Sequence, residues 1–473
     1  MNIQQTFPLN IFRAYDIRGK LSNLTPDIIC SIAYALAQQY KYAEQTQIVI
    51  GYDARLTSPS YANIIQKVLE QQGLNVTNIG CCSSPMMYYI ARDFGGNGIM
   101  VTASHNPKSD NGIKWILKGE PPSPEIIQQV GLAAQFASEK IGKNTDLQEL
   151  SHHIIPEFCL KYQQSLLSDI QLLRPLKIVL DGLHGSAGHC AKQVLQNLGC
   201  EVIALRCEAN GHFPDHAPDP SHAAHLQQLQ ATIIAEKADM GIALDGDGDR
   251  VVLLDEQAHI ISPDRLISLF AQICLQQHPH KEIVFDVKCS RMVADTVGQL
   301  DGQAKMIRTG SSFLRAYLSK SQGTAVFGGE YAGHYVFNDG RGFGYDDGLY
   351  AALRVMEYLT QSNANSLSEL LSIYPERYCT EDTYISTHEV NPKQVLDDIE
   401  LLSHHLGARL SKIDGVRLDF DDGFGIIRAS NTGEYFTVRF DADHPDRLTE
   451  IRQKFVSMLQ HQYPQIAQEL AQA

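Results

Sequence analysis

Three aspartates alternate with glycines in one short stretch of the chain, Asp245-Gly246-Asp247-Gly248-Asp249. The glycines let the backbone turn sharply without side chains in the way, so the three carboxylates can converge. Carboxylates held close together repel each other and raise each other's pKa unless a divalent cation compensates their charge. Oxygen ligands favour Mg²⁺ or Ca²⁺ over zinc, so this stretch predicts a hard-cation site.

Two other interpretations of the aspartate stretch are weaker. An Asx-rich turn needs no metal, and it stays open as the purely structural alternative. An EF-hand calcium loop would place Glu256 at its twelfth position, but Arg250 stands at its sixth position, where that loop needs glycine. The apolar run that follows, Val251-Val252-Leu253-Leu254, also predicts a strand rather than the helix of an EF-hand.

A serine stands in a polar loop that follows an apolar strand: Thr102-Ala103-Ser104-His105-Asn106-Pro107 follows residues 98–101. Pro107 disfavours a helix at the preceding residue. The G-x-S-x-G elbow of hydrolases needs glycines where Thr102 and Asn106 stand, so that class is excluded. A surface-turn serine is the plain alternative, but the position of Ser104 beyond a strand end favours a nucleophile.

A third polar segment, Arg428-Ala429-Ser430-Asn431-Thr432-Gly433, combines one guanidinium with hydroxyl and amide donors. A forked cation with neutral donors can hold a phosphate without excess charge, although an ordinary hairpin turn is the alternative. The sequence contains neither a Walker A motif nor G-x-G-x-x-G, so a nucleotide cofactor is not indicated.

The elements that must position these loops repeat along the chain. Three short runs rich in β-branched residues each end at a carboxylate, as strands buried on both faces do, at residues 47–53, 177–181 and 282–286. A helical pattern follows each run and ends near a glycine, at Gly73, Gly199 and Gly302. A later strand in each repeat leads into a polar loop, and ligands of α/β sheets bind beyond such strand ends. Three related domains are therefore expected to share one site.

After about residue 370 the pattern changes to the alternation of a half-exposed sheet, followed by a helical stretch from about Asp446. This change predicts a smaller α+β domain at the C-terminal end. We place the domains at residues 1–150, 151–255, 256–367 and 368–473.

Composition excludes several classes of protein. The 473 residues include 39 Lys and Arg against 54 Asp and Glu, and a net charge of −15 argues against nucleic-acid and anionic-membrane partners. Ten cysteines without paired CxxC motifs indicate neither a disulfide scaffold nor a zinc site. The sequence shows no signal-peptide pattern and no apolar run of about 18 residues, so we expect a cytoplasmic protein.

Taken together, the loops resemble those of the α-D-phosphohexomutase family. The resemblance covers nearly the whole chain and includes the opening segment at residues 12–19 and a sugar loop at residues 329–334. It implies an α/β fold in which three related domains, with mixed sheets flanked by helices, and a smaller C-terminal α+β domain surround a central active-site cleft.

The resemblance implies an isomerase with phosphomannomutase and phosphoglucomutase activity, which converts hexose 1-phosphate to hexose 6-phosphate reversibly. Ser104 would carry a phosphoryl group, and Mg²⁺ would be held by that group and by Asp245, Asp247 and Asp249. A hexose 1,6-bisphosphate would be the intermediate, with glucose 1,6-bisphosphate as activator.

The resemblance also implies roles for further residues. Arg18 and Lys114 would flank the phosphoserine, Lys114 or His334 would be the general acid or base, and His105 would lie near the nucleophile. The implied substrate contacts are Tyr15, Arg250, Lys288, Glu330, His334, Arg428, Ser430, Asn431 and Thr432.

Two departures from the family bear on the choice between mannose and glucose. Ala332 stands where the family usually has serine, and Ser311 stands where close relatives can have histidine. The alternatives are a mutase for another sugar, such as a phosphoglucosamine mutase, and a non-catalytic protein that binds sugar phosphates. A phosphatase with an aspartate nucleophile is a further alternative, which would not need Ser104. We expect small-molecule hexose phosphates as partners, neither nucleic acid nor membrane, and a monomer or weak homo-oligomer.

Overall fold

The computed structural model describes residues 7–139, 149–430 and 435–473, which form two compact units. The first unit takes its residues from Met1–Ile261, Arg315–Lys320 and Ala332–Leu371. The second takes its residues from Ser262–Leu314, Ser321–Tyr331 and Ser372–Ala473. Two residues of the predicted phosphate cradle, Asn431 and Thr432, lie outside the described residues.

A mixed sheet begins the first unit, with strands β1 Ile17–Lys20, β2 Gln47–Tyr52, β3 Asn75–Cys81, β4 Gly98–Val101 and β5 Asp110–Ile116. The strand order is β1-β5-β4-β2-β3, and β2 is parallel to β3 and β4, whereas β5 is antiparallel to β4 and β1. The neighbouring helices are α1 Pro26–Tyr42, α2 Ser58–Gln71, α3 Ser84–Ala91 and α4 Pro124–Ser138. Ile48, Val49 and Ile50 are all buried, as the unbroken apolar run of β2 predicted.

The second sheet of this unit has four strands, β6 Lys177–Asp181, β7 Glu201–Leu205, β8 Met240–Leu244 and β9 Val251–Leu254. Their spatial order matches that of β3, β2, β4 and β5 in the first sheet. The order of the second sheet is β7-β6-β8-β9, in which β6 is parallel to β7 and β8, and β9 is antiparallel to β8. The helices are α5 Pro156–Asp169, α6 Gly188–Asn197 and α7 Gln227–Glu236. The Ser104 loop follows β4 and the aspartate loop follows β8, so the two loops leave equivalent strands.

A later part of the chain also belongs to the first unit, and its elements are β13 Tyr335–Phe337, α11 Gly348–Gln361 and α12 Leu367–Leu371. Asp347 is the N-cap of helix α11, and its carboxylate accepts a 2.9 Å hydrogen bond from the backbone N–H of Tyr350. The helix packs against β8 and β9. This segment therefore covers the second sheet, while the domain boundaries placed near residues 150, 255 and 367 stay predictions.

In the second unit, β10 Glu282–Asp286 lies parallel to β11 Gln303–Ile307 and β12 Ala325–Gly329, with helices α8 Pro263–Gln277 and α9 Arg291–Gln299. Helix α10 Ser311–Lys320 begins in this unit, and its residues Arg315–Lys320 belong to the first. The spatial order β11-β10-β12 matches β3-β2-β4 and β7-β6-β8, and this third occurrence confirms the predicted relation between three α/β domains.

Single turns of 3₁₀ helix lie in the first unit, at Leu9–Ile11, Arg92–Phe94 and Ala223–Leu226.

The C-terminal part of the second unit is an antiparallel sheet with helices, as predicted from its alternating pattern. Its strands are β14 Tyr378–Cys379, β15 Thr383–Ser386, β16 Arg409–Ser411, β17 Val416–Asp419, β18 Gly423–Ala429 and β19 Tyr435–Ala442. Its helices are α13 Pro392–Ser403, α14 Pro445–Leu459 and α15 Pro464–Gln472. Among the described residues, none of the helices has both the length and the apolar content that crossing a membrane requires.

A fully buried ion pair ties α11 to the chain that precedes it. The guanidinium of Arg354 donates to Asp339 at 2.7 Å, and both side chains are 0% exposed. The ring of Phe337 lies 4.5 Å from the same guanidinium. Because neither charge reaches water, each depends on the other for compensation.

We predict that Arg354→Leu lowers the free energy of unfolding by about 3–5 kcal/mol, since it leaves the buried Asp339 carboxylate without its cation. Thermal unfolding followed by circular dichroism measures the change. The control is Lys161→Met, which removes the cation of a pair that is 47% and 50% exposed. That control should cost less than about 1 kcal/mol. Equal effects of the two variants would contradict the prediction.

Candidate functional site

Ser104 lies three residues beyond the end of β4 and is buried, at 2% exposure. Its φ is +50°, a left-handed conformation that is uncommon for residues other than glycine. The Ser104 N–H donates to Thr102 Oγ1 at 2.8 Å, and the Ser104 hydroxyl donates to Asp245 Oδ2 at 2.6 Å. The structure therefore brings the predicted nucleophile into contact with the predicted metal loop.

The three aspartates converge as the sequence predicted. Asp245, Asp247 and Asp249 are all buried, and each offers a carboxylate oxygen within 4.8 Å of the others. Burial, and after it the charges of Asp249 and Asp247, raises the pKa of Asp245 to about 8. Within the described part of the chain, Asp247 Oδ1 and Asp249 Oδ1 are buried and have no hydrogen-bond partner.

A cation already contacts this carboxylate cluster. The ammonium of Lys114, on β5, lies 2.8 Å from Asp247 Oδ2 and 2.5 Å from Asp249 Oδ2. Burial alone would lower the pKa of Lys114, but these two carboxylates raise it well above its ordinary value, so the ammonium is charged. The cluster thus accommodates positive charge and keeps free carboxylate oxygens, which is what a divalent cation requires.

His105, in the serine loop, contacts Arg250, which directly follows Asp249 of the aspartate loop. His105 Nδ1 lies 3.2 Å from Ser104 Oγ and accepts a hydrogen bond from the guanidinium of Arg250. Burial, and after it the charge of Arg250, holds the pKa of His105 well below its ordinary value. His105 is therefore a neutral imidazole beside the nucleophile.

Arg18 connects the opening segment of the chain to the serine loop. Its guanidinium donates to Asn106 Oδ1 at 3.1 Å and to Asp16 Oδ2 at 2.6 Å. Tyr15, in the same segment, is 36% exposed. Arg18 thus places a guanidinium against Asn106 of the serine loop.

His334 is held between two carboxylates. Its Nδ1 lies 2.8 Å from Asp346 Oδ2 and 3.7 Å from Asp249 Oδ1. Burial alone would lower the pKa of His334, but Asp249 and Asp346 raise it above its ordinary value. A β-bridge between Arg250 and His334 fixes the backbone at this point. The structure therefore places His334 beside the aspartate cluster.

The second unit holds four further predicted binding residues: Lys288, Glu330, Arg428 and Ser430. Asp414 accepts hydrogen bonds from the Arg428 guanidinium at 3.1 Å and from the Thr309 N–H at 3.2 Å. Glu330, which is 2% exposed, accepts a hydrogen bond from the Gly310 N–H. Lys288 pairs with Asp382. The Ser430 N–H, just after β18, donates to the Tyr435 carbonyl at 2.9 Å.

Sequence reasoning missed three side chains of the first unit that contact predicted site residues. Ser84 donates to Asp247 Oδ2 at 2.5 Å, Asp346 pairs with His334, and Arg55 binds the backbone of the serine loop. Arg55 follows Asp53, the carboxylate at the end of the first repeated strand, so its position carried a signal. Ser84 and Asp346 stand in no recognisable motif.

Models of three domains of one family match most of the chain. They are described as phosphoglucomutase/phosphomannomutase alpha/beta/alpha domains I, II and III, and they match residues 9–140, 157–258 and 262–378. The third match ends at residue 378, at the first strand of the C-terminal antiparallel sheet.

Full-length relatives agree with these matches. A phosphoglucomutase of Neisseria meningitidis is 36% identical over 95% of this chain and 97% of its own length. A phosphomannomutase/phosphoglucomutase of Pseudomonas syringae is 34% identical over 98% of both chains. The crystal structure of a phosphoglucomutase/phosphomannomutase family protein from Burkholderia thailandensis superposes with a TM-score of 0.86 at 32% identity, over 96% of this chain and 98% of its own. The chain belongs to the phosphoglucomutase/phosphomannomutase family.

Proposed function

We propose that this isomerase interconverts hexose 1-phosphates and hexose 6-phosphates through a phosphoryl group carried on Ser104. Relatives at 34–36% identity over nearly the whole chain are named for mannose and glucose phosphates. The observation that carries the assignment to Ser104 is its 2.6 Å hydrogen bond to Asp245, one of three buried carboxylates. A serine in a cation-binding cluster is arranged for phosphoryl transfer rather than for a structural turn.

The cycle conserves phosphate. The hexose 1-phosphate hydroxyl attacks the phosphorus on Ser104, so the bond from Oγ to phosphorus breaks and a hexose 1,6-bisphosphate forms. After the bisphosphate reorients, Ser104 Oγ attacks its other phosphorus, and hexose 6-phosphate leaves. Mg²⁺ held by the three aspartates would neutralise negative charge on the phosphoryl group during transfer. Glucose 1,6-bisphosphate acts as activator because it phosphorylates an empty Ser104.

Lys114 and His334 are the two candidates for proton transfer, and the contacts of each residue decide which role we assign to it. The carboxylates around Lys114 keep its ammonium charged, so it stabilises phosphoryl oxygens and does not accept a proton. Asp249 and Asp346 raise the pKa of His334, so we start the cycle with His334 as an imidazolium, which can act as a general acid. We assign to His334 the delivery of a proton to the sugar oxygen that leaves when Ser104 takes back the phosphoryl group, and the neutral imidazole that results can accept the proton of the next attacking sugar hydroxyl. His105, neutral beside Ser104, accepts hydrogen bonds there.

The residues of the second unit bind the substrate in this proposal. Arg428, with Ser430, Asn431 and Thr432, holds the phosphate that is not transferred, while Glu330 accepts hydrogen bonds from the sugar hydroxyls and Lys288 donates to the sugar. Tyr15 and Arg250 complete the substrate contacts. A cytoplasmic location and a monomeric or weakly associated state are part of the same proposal.

Replacing Ser104 by alanine should lower mutase kcat by at least about 10³-fold, because no other group can carry the phosphoryl. Rates with α-D-glucose 1-phosphate, Mg²⁺ and glucose 1,6-bisphosphate measure the loss, and intact mass shows whether the phosphoryl is absent. Ser109→Ala is the matched control, since Ser109 is an exposed serine of the same loop. Phosphate release by Ser104→Ala at the wild-type rate would indicate an aspartate-based phosphatase instead.

The charge cluster makes two opposite predictions for Mg²⁺ affinity, measured by calorimetry on dephosphorylated enzyme. Asp247→Asn should weaken binding by at least about tenfold, because a ligand charge is lost. Lys114→Met should strengthen binding, because its ammonium no longer competes for the same oxygens. Asp215→Asn, which changes an exposed carboxylate at 51% exposure, is the control. Weaker binding by Lys114→Met would contradict the assigned competition.

We predict that Ala332→Ser narrows the preference between α-D-mannose 1-phosphate and α-D-glucose 1-phosphate by about fivefold in kcat/KM. That ratio corresponds to about 1 kcal/mol, the usual contribution of one hydrogen bond to a sugar hydroxyl. Parallel initial rates on both sugars measure the ratio, and Ser311→His tests the second departure in the same way. An unchanged ratio in Ala332→Ser would remove this residue from epimer recognition.

A further inference from the structure

The loop that carries Ser104 has little regular structure of its own. It connects β4 to β5, and Ser104 stands in it at a φ of +50°. A residue with a Cβ keeps this backbone conformation only where its surroundings hold it, because the left-handed region is strained for such residues. Hydrogen bonds to the loop backbone are therefore needed to hold this conformation, and the conformation in turn sets the direction of the Ser104 hydroxyl.

One buried guanidinium supplies hydrogen bonds of this kind. Arg55 is 2% exposed and donates to four loop carbonyls, namely those of Ser104 at 2.8 Å, Asn106 at 2.6 Å, Pro107 at 2.7 Å and Asp110 at 3.1 Å. Its fifth donor, Nε, binds Asp53 Oδ2 at 3.1 Å. A guanidinium has five N–H donors in a fixed plane, and each has a partner here.

Asp53 orients this guanidinium and holds the other end of the loop. Its Oδ2 also accepts a 2.8 Å hydrogen bond from the Thr102 hydroxyl, and Thr102 Oγ1 in turn accepts the Ser104 N–H. Its Oδ1 accepts from the Ser58 hydroxyl at 2.6 Å and from the Arg55 N–H at 3.0 Å. The backbone of Ser104 is thus held at its N–H through Thr102 and at its carbonyl through Arg55.

We propose that Arg55 is a positioning residue for phosphoryl transfer, which fixes the strained Ser104 backbone so that Oγ points at the aspartate cluster. This inference rests on the proposed function of Ser104. Arg55 acts through the loop backbone rather than on the sugar phosphate, so its loss lowers kcat and leaves KM nearly unchanged. A lysine cannot replace it, because a single ammonium has three donors and cannot reach four carbonyls in one plane.

The test uses full-length Arg55→Lys and Arg55→Ala, with Lys161→Met, which changes a half-exposed ion pair of the same unit, as the control. In Arg55→Lys we expect kcat to fall by about 10²-fold, the usual effect of misplacing a reacting group, with KM changed by less than about twofold. Added guanidinium or methylguanidinium should restore part of the kcat of Arg55→Ala. It should restore none of the activity lost in Ser104→Ala.

A second measurement does not depend on mutase activity. Amide hydrogen exchange of residues 102–110 should be faster in Arg55→Lys than in the wild type and unchanged in Lys161→Met. Protection of this segment at the wild-type level, or wild-type kcat in Arg55→Lys, would overturn the positioning role. The wild type could also prove to have no mutase turnover while exchange is still faster in Arg55→Lys. That result would refute the proposed function but keep the role of Arg55 in holding the Ser104 loop. If Arg55→Ala does not fold, Arg55→Lys carries both measurements.

Discussion

The crowding of three buried carboxylates beyond one strand end is the constraint on which the site depends. Asp245, Asp247 and Asp249 lie where burial and mutual repulsion oppose their ionisation, and the raised pKa of Asp245 is the direct consequence. Such a cluster is stable only where cations surround it. In a chain with a net charge of −15, positive groups must therefore be drawn from separate elements to this one place.

The fold meets this constraint through its repeated sheets. Lys114 comes from the antiparallel strand of the first sheet, and Arg250 from the corresponding turn of the second. His334 comes from the segment that returns to the first unit. Each residue reaches the cluster because β4 and β8 occupy equivalent positions in their sheets, and both lead into loops at their carboxyl ends. The repeat is thus the reason that residues far apart in sequence share one electrostatic environment.

Much of this arrangement could be predicted from the sequence, because buried parallel strands and glycine-bearing loops leave local patterns. The strands at residues 47–52, 177–181 and 282–286, and the convergence of the three aspartates, are examples. The partners of these residues could not be predicted in the same way. Ser84 and Asp346 contact the site only because α3 and the start of α11 pack there, and long-range packing leaves no periodic signal. The backbone contacts of Arg55 were invisible for the same reason.

In the proposed mechanism, the two flanking cations, Lys114 and His334, have different tasks. Lys114 contacts two carboxylates of the cluster, so its charge is strongly stabilised and cannot respond to the reaction. His334 is held at Nδ1 by Asp346, a carboxylate outside the triad, and an imidazole held at one nitrogen still has a second nitrogen for proton exchange. A cluster that needs permanent positive charge and a reaction that needs a mobile proton thus place opposite demands on neighbouring cations. Lys114 and His334 share Asp249 but differ in their other partners, Asp247 and Asp346, and in the proposed mechanism this difference assigns one demand to each.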